Sequence, residues 1–207
     1  MSKIEVDEVV NQSGDNDSGI DLTTNDQIGF KIANASKWTL NSSGNLFPAS
    51  TSQGIVLGAT SDTSANRLDD YEEGTFIPEV TFATPPSGGR TAGKGQYTKI
   101  GRLVTVHLRV ENIDTTGASG DIEITGFPFT STSDSGDGAV TAYQGTCRAS
   151  AVNYASSSYL IAEITDGNAT ARITEITDNS GADVINTGNI SDGASDILAT
   201  ISYTTAS

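Results

Sequence analysis

Through much of the second half of the chain, apolar side chains recur at every other position. In QYTKIGRLVTVHLRV, residues Val104, Val106, Leu108 and Val110 alternate with Thr105, His107, Arg109 and Glu111. A period of two puts the first set on one face of a strand, against a core, and the second set on the face toward solvent or a partner. The same period places Ile122 with Ile124, Leu160 with Ala162 and Ile164, and Ile197 with Ala199, Ile201 and Tyr203. In TARITEITD the alternation slips between Ile173 and Ile176, which predicts a bulge. Gly101-Arg102 between two such runs predicts a two-residue hairpin turn, since glycine suits the first central position. No stretch carries the 3.6-residue period of an amphipathic helix. Many short strands with turn signals between them predict an antiparallel β-sandwich of jelly-roll type.

The first third of the chain reads differently. Ile28, Phe30 and Ile32 alternate with polar residues, as do Trp38 and Leu40, and NSSGN supplies a turn before Leu46. Gly, Asn, Asp and Ser punctuate these short runs, and no long apolar stretch appears. Strands with so few apolar positions cannot enclose a core alone, so they require a partner surface. The expected organisation is all-β: a short fibre-like segment over residues 1–67, followed by a β-sandwich over residues 68–207.

Composition narrows the function classes. The chain has 207 residues, of which 35% are hydrophobic and only 18% charged, so its polarity comes chiefly from Ser, Thr, Asn and Gly. Eleven Lys and Arg stand against 26 Asp and Glu, a formal net charge of -15. That field repels phosphate backbones and argues against nucleic-acid binding. No run is apolar enough for membrane insertion, and the N-terminus lacks a signal-peptide core, so a soluble chain is expected. One cysteine, Cys147, makes no internal disulfide; its strand-like surroundings suggest a small packed residue rather than a nucleophile.

Candidate chemistry is sparse. Asp69, Asp70, Glu72 and Glu73 crowd into five positions of LDDYEEG. Acid catalysis needs two carboxylates converging in a pocket, and a calcium loop needs a different spacing, so a solvated linker is the favoured reading. Tyr71 and Phe76 are then expected to anchor the joint, their rings packed while the carboxylates stay wet. GDNDSG at 14–19 lacks the downstream glutamate of a calcium loop and reads as a turn. His107 lies on a polar strand face with no Gly-x-Ser-x-Gly elbow in the chain, and SDSGDG at 133–138 reads as a loop. No cysteine or histidine cluster suggests a metal, and no cofactor motif is present.

The order NRLDDYEEGTFIPEVTF, GQYTKIGRLVTVHLRV, GDIEITGFPFTS resembles the C-terminal module of many tailed-bacteriophage tail fibre and receptor-binding proteins. Upstream, ASKWTLNSSGNLFPAS is similar to the fibre-type segment that often precedes it. The likeness covers about residues 37–131; the chain beyond Ser131 aligns with nothing. The resemblance implies a non-enzymatic homotrimeric virion protein, assembled in the host cytoplasm. Its N-terminal part would dock on other tail or capsid proteins, and its tip would face a host polysaccharide or protein. Trp38, Leu40, Leu46, Tyr71 and Phe76 become candidates for the linker and trimer interface. Receptor binding by such tips uses loop aromatics and polar side chains, which singles out Asn153, Tyr154 and Tyr159 in AVNYASSSYLIA, and Arg90 and Lys94 in ATPPSGGRTAGKG. The alternative is a capsid-attached head fibre or decoration protein, suggested by the shortness of the fibre-like part. A polysaccharide-degrading tailspike would need a long β-helix or an acidic cleft, and the sequence signals neither.

Overall fold

The computed structural model describes residues 5–11, 17–133, 142–178 and 181–206. The chain divides into two compact units, Met1–Asp70 and Tyr71–Ser207. Among the described residues there is no α-helix; two single 3-10 turns, Ser64–Asn66 and Thr187–Asn189, accompany the strands.

In the first unit, β1 (Glu8–Val10), β2 (Gly19–Asp21), β3 (Ile28–Ile32), β4 (Ala35–Leu40) and β5 (Leu46–Pro48) form an antiparallel sheet in chain order. A separate pair joins β6 (Ile55–Val56) to β7 (Arg67–Leu68). The alternation read from the sequence is realised, because Phe30 stands opposite both Ile20 and Trp38, and Leu40 opposite both Ile28 and Leu46. Cross-strand partners share a face. One face of this sheet therefore gathers Val9, Ile20, Ile28, Phe30, Trp38, Leu40 and Leu46. Its side chains remain open to solvent to different degrees: Phe30 is 42% exposed and Leu46 56%, while Trp38 and Leu40 are half-buried. Among the described residues, every buried hydrophobic side chain lies at Val80 or beyond.

The second unit holds β8 (Tyr71–Phe76), β9 (Glu79–Thr84), β10 (Thr91–Ala92), β11 (Lys94–Ile100), β12 (Leu103–Val110), β13 (Ser119–Thr125), β14 (Ala142–Ser150), β15 (Ser158–Thr165), β16 (Ala171–Thr177), β17 (Gly181–Val184) and β18 (Asp196–Thr204). They form one curled antiparallel sheet in the order β10-β9-β13-β16-β15-β14-β18-β12-β11-β8, with β17 added beside β16. This is the expected all-β, sandwich-like fold, with its strand order now fixed. The two ends of the order belong to one bent ribbon, because a single register runs from Val80 opposite Thr91 to Phe76 opposite Gly95. At the bend, Gly93 N–H donates to the Pro78 carbonyl at 2.7 Å. A Cβ at Gly93 would stand 2.2 Å from the Arg109 carbonyl oxygen, so only glycine lets the ribbon turn there. One half of the ribbon offers β11 to β12, and the other offers β9 to β13, which brings the sheet round on itself.

The concave face is the core. Val104, Val106, Leu108, Val110, Ile122, Ile124, Ile164, Ile173, Ile197 and Ile201 are all buried, each contributing about 1.5–3 kcal/mol of apolar burial. Aromatic rings close one end: Phe76 lies 5.7 Å from Phe127, and Phe127 6.4 Å from Tyr203. The Tyr203 hydroxyl donates to the Phe129 carbonyl at 3.0 Å. The Gly101-Arg102 turn is as expected, with Ile100 opposite Leu103 and a positive φ of 56° at Gly101.

Three expectations are corrected. No bulge interrupts β16, since Ser158–Ile164 pairs with Ala171–Thr177 without a shift. Ile173 is buried in the core, and Ile176 is simply an apolar residue on the opposite, convex face. The acidic run is not a linker throughout, because Tyr71–Phe76 is an edge strand and Arg67–Leu68 pairs back into the first unit. Tyr71 does not anchor a joint by burial: it is 62% exposed, and only Phe76 packs on the core.

Candidate functional site

Strand alternation settles the acidic run. Glu72 stands opposite Lys99 on the concave side and accepts a hydrogen bond from the Tyr97 hydroxyl; Glu73 stands opposite Thr98 on the convex side and accepts from Tyr71 at 3.0 Å. These hydrogen bonds hold both tyrosine hydroxyls above their ordinary pKa, because each donates to a carboxylate that phenolate formation would repel. The two glutamates point to opposite faces and cannot share a substrate. Lys99 is buried at the same end, its Nζ 5.7 Å from the centroid of Phe129.

The convex face of the large sheet can be written as rows running across the strands. One row is Thr75, Gln96, His107, Thr200 and Thr146, each opposite the next in register. The adjacent row is Lys94, Arg109, Leu198 and Arg148. His107 is the hub: three shallow depressions of about 350, 310 and 610 Å³ all include it. Its Nδ1 lies 2.8 Å from the Thr200 hydroxyl. Arg109 is paired with Glu111, whereas Lys94 and Arg148 have no ion-pair partner among the described residues. Cys147 lies beneath this face, packed against the core, and burial pushes its thiol up to about 12. It stays a thiol at neutral pH, which suits a packed residue and not a nucleophile.

The expected receptor-binding residues separate into three places. Lys94 stands at one end of the cationic row. Tyr159, 60% exposed and opposite Ile176, lies on the same convex face, just beyond the last paired position of β14 and β15. Asn153 and Tyr154 are instead at a loop end tied to the Thr187–Asn189 turn. Asn153 N–H donates to the Asn189 carbonyl, and Asn189 Nδ2 donates to the Asn153 carbonyl, both at 2.7 Å. Ala155 N–H donates to Glu175 at 2.8 Å, and beside it lies a cleft of about 590 Å³ lined by Asp121, Glu175, Asp183, Asn186 and Asn189. Arg90 belongs to neither place; its guanidinium reaches Glu79 at 3.4 Å and Thr125 at 3.2 Å.

Arg148 and Thr146 carry no distinguishing signal in the sequence, because only the pairing of β14 with β18 puts them beside His107 and Arg109. The acidic cleft was likewise not legible, since Asp121 and Asp183 are 62 residues apart and meet only through the strand order. The stretch 14–16 of GDNDSG and 134–138 of SDSGDG lie outside the described residues. Among the described residues, no group of three or more His, Cys, Asp or Glu is arranged to hold a metal ion, and no helix is long and apolar enough to cross a membrane. Comparison with protein-family models, with curated proteins and with solved structures returns no match.

Proposed function

We propose that the chain is a non-enzymatic virion structural protein: a short, homotrimeric tail fibre whose C-terminal sandwich binds a host surface glycan or another surface receptor. The observation that carries this reading is the contrast between the two units. The second has a complete core, whereas the first gathers Val9, Ile20, Ile28, Phe30, Trp38, Leu40 and Leu46 on one face of a five-stranded sheet, and none of its hydrophobic side chains is fully buried among the described residues. A sheet with a partly exposed apolar face is an association surface. Copies of the same chain meeting on it would bury what one chain leaves open. The likeness to tail-fibre modules over residues 37–131 supplies the biological setting. Binding by three weak tips at once gives strength through avidity rather than chemistry.

Light scattering on the full chain, with host-cell adsorption measured beside it, tests the reading. A trimer that binds cells and competes with virions for adsorption is the expected result. A monomer that neither binds nor competes would refute it. The shortness of the first unit's strands, two to six residues each, favours a second reading as a capsid-attached head fibre or decoration protein. Immunogold labelling of virions separates the two, since label at the tail tip excludes a capsid location.

A further inference from the structure

We propose that the convex face around His107 is the binding surface for an anionic polysaccharide, a carboxylate-bearing glycan strand laid across β11, β12, β18 and β14. The inference rests on the receptor-binding reading above and names both the surface and the ligand class.

Charge is the first reason. In a chain of formal net charge -15, with 11 Lys and Arg in all, three of the four positions in one cross-strand row are cationic: Lys94, Arg109 and Arg148. Strands lie about 4.8 Å apart, so the three side chains spread over about 14 Å. That span suits a repeating anion better than a single small one. Lys94 and Arg148 are exposed and have no ion-pair partner among the described residues, which leaves their charge available. Arg109 is paired with Glu111, but an acidic protein gains little by leaving the two outer cations of the row unpaired unless an anion completes them.

The adjoining row is the second reason. Gln96, His107, Thr200 and Thr146 present an amide, an imidazole and hydroxyls side by side, donors and acceptors suited to sugar hydroxyls. His107 Nδ1 is engaged with Thr200, and Nε2 has no partner among the described residues. The exposed ring of Tyr159 lies on the same face and offers a surface for a sugar to stack on. The depressions are open and shallow and lie on a flat sheet face bearing Lys94, His107, Arg109 and Arg148, unlike the deep groove an amphipathic peptide would need. Nucleic acid is disfavoured by the overall negative field. The other cleft, which Asn153 reaches only through its hydrogen bonds to Asn189, is lined by Asp121, Glu175 and Asp183 and would repel an anionic chain.

Binding of the full-length protein to immobilised polygalacturonate, with neutral dextran and polyglutamate as comparisons, tests the proposal. Polygalacturonate should be retained, and about tenfold more weakly at 200 mM than at 50 mM salt. Dextran and polyglutamate should be bound at least about tenfold less well than polygalacturonate at equal salt. The double variant Lys94→Ala/Arg148→Ala should lose about tenfold or more in affinity with an unchanged melting temperature, since both side chains are exposed. Asn153→Ala/Tyr154→Ala, in the loop between β14 and β15 that is tied to the Thr187–Asn189 turn, should bind as the parent does. The proposal fails if the parent ignores polygalacturonate, if the cation double variant binds unchanged, or if polyglutamate binds equally well. Host-cell adsorption measured on the same samples keeps the two readings apart: adsorption that survives the loss of Lys94 and Arg148 overturns this surface and leaves the receptor-binding function standing, whereas no adsorption by the parent overturns both.

Discussion

Replacing Phe30 by serine probes the assembly at its most informative position. Phe30 stands between Ile20 and Trp38 on the apolar face of the first unit and is 42% exposed in the single chain. Fully burying a phenylalanine contributes about 3 kcal/mol at the upper end, so the exposed fraction corresponds to about 1 kcal/mol still to be gained on association. Three copies make that about 3 kcal/mol per trimer, or about a hundredfold in the association constant. Because the midpoint of a monomer–trimer equilibrium varies as the square root of that constant, Phe30→Ser should shift trimer dissociation to about tenfold higher protein concentration, read by light scattering across a dilution series. The second unit keeps its whole core, so its melting transition should not move. If the dissociation midpoint is unchanged, or if both units lose stability together, the apolar face is not where the copies meet.

Other perturbations test the fold and its chemistry. A Cβ at Gly95 would meet the Phe76 ring at 2.4 Å. Gly95→Ala should push that ring off Phe127 and lower thermal stability by about 1–3 kcal/mol; an unchanged melt would show that the ring is free to move. Ala33 and Asn34 form a two-residue hairpin turn with φ of 54° and 57°. Ala33→Gly should relieve the alanine's left-handed strain and stabilise the first unit by about 1 kcal/mol. Tyr203→Phe removes the donor to the buried-end Phe129 carbonyl and should cost about 1–3 kcal/mol in chemical denaturation. Burial raises Tyr203 from 10.0 to about 12 and Cys147 from 9.0 to about 12. Both bind their protons more tightly in the folded chain, so the folded state loses stability as pH rises, from about pH 9 for Cys147 and from about pH 10 for Tyr203, up to about pH 12. Alkaline melts should show this fall, and Tyr203→Phe should flatten its part above pH 10. Native Cys147 should alkylate far more slowly than the same thiol in denaturant; equal rates would contradict its packing.

What the sequence determined by itself was the inward or outward direction of each strand residue. The alternations at 103–110, 122–124, 160–164 and 197–203 all correspond to observed core residues, because a strand's side-chain period is local and needs no knowledge of its neighbours. The poverty of the first third in apolar positions was legible for the same reason, and so was the turn at Gly101. Slips came where a local pattern had two meanings. Ile176 broke the alternation because the convex face also takes apolar residues, not because the backbone bulges. LDDYEEG looked like a linker because a short edge strand carrying charge has the composition of a loop.

Only the tertiary structure decided which strands are neighbours. That order turned a run of four carboxylates into two glutamates on opposite faces, gathered Lys94, Arg109 and Arg148 into one row, and set Asp121 beside Asp183. Cross-strand register is a long-range property, fixed by how the whole sheet closes over its core at the Gly93 bend. No periodicity within a single strand contains it.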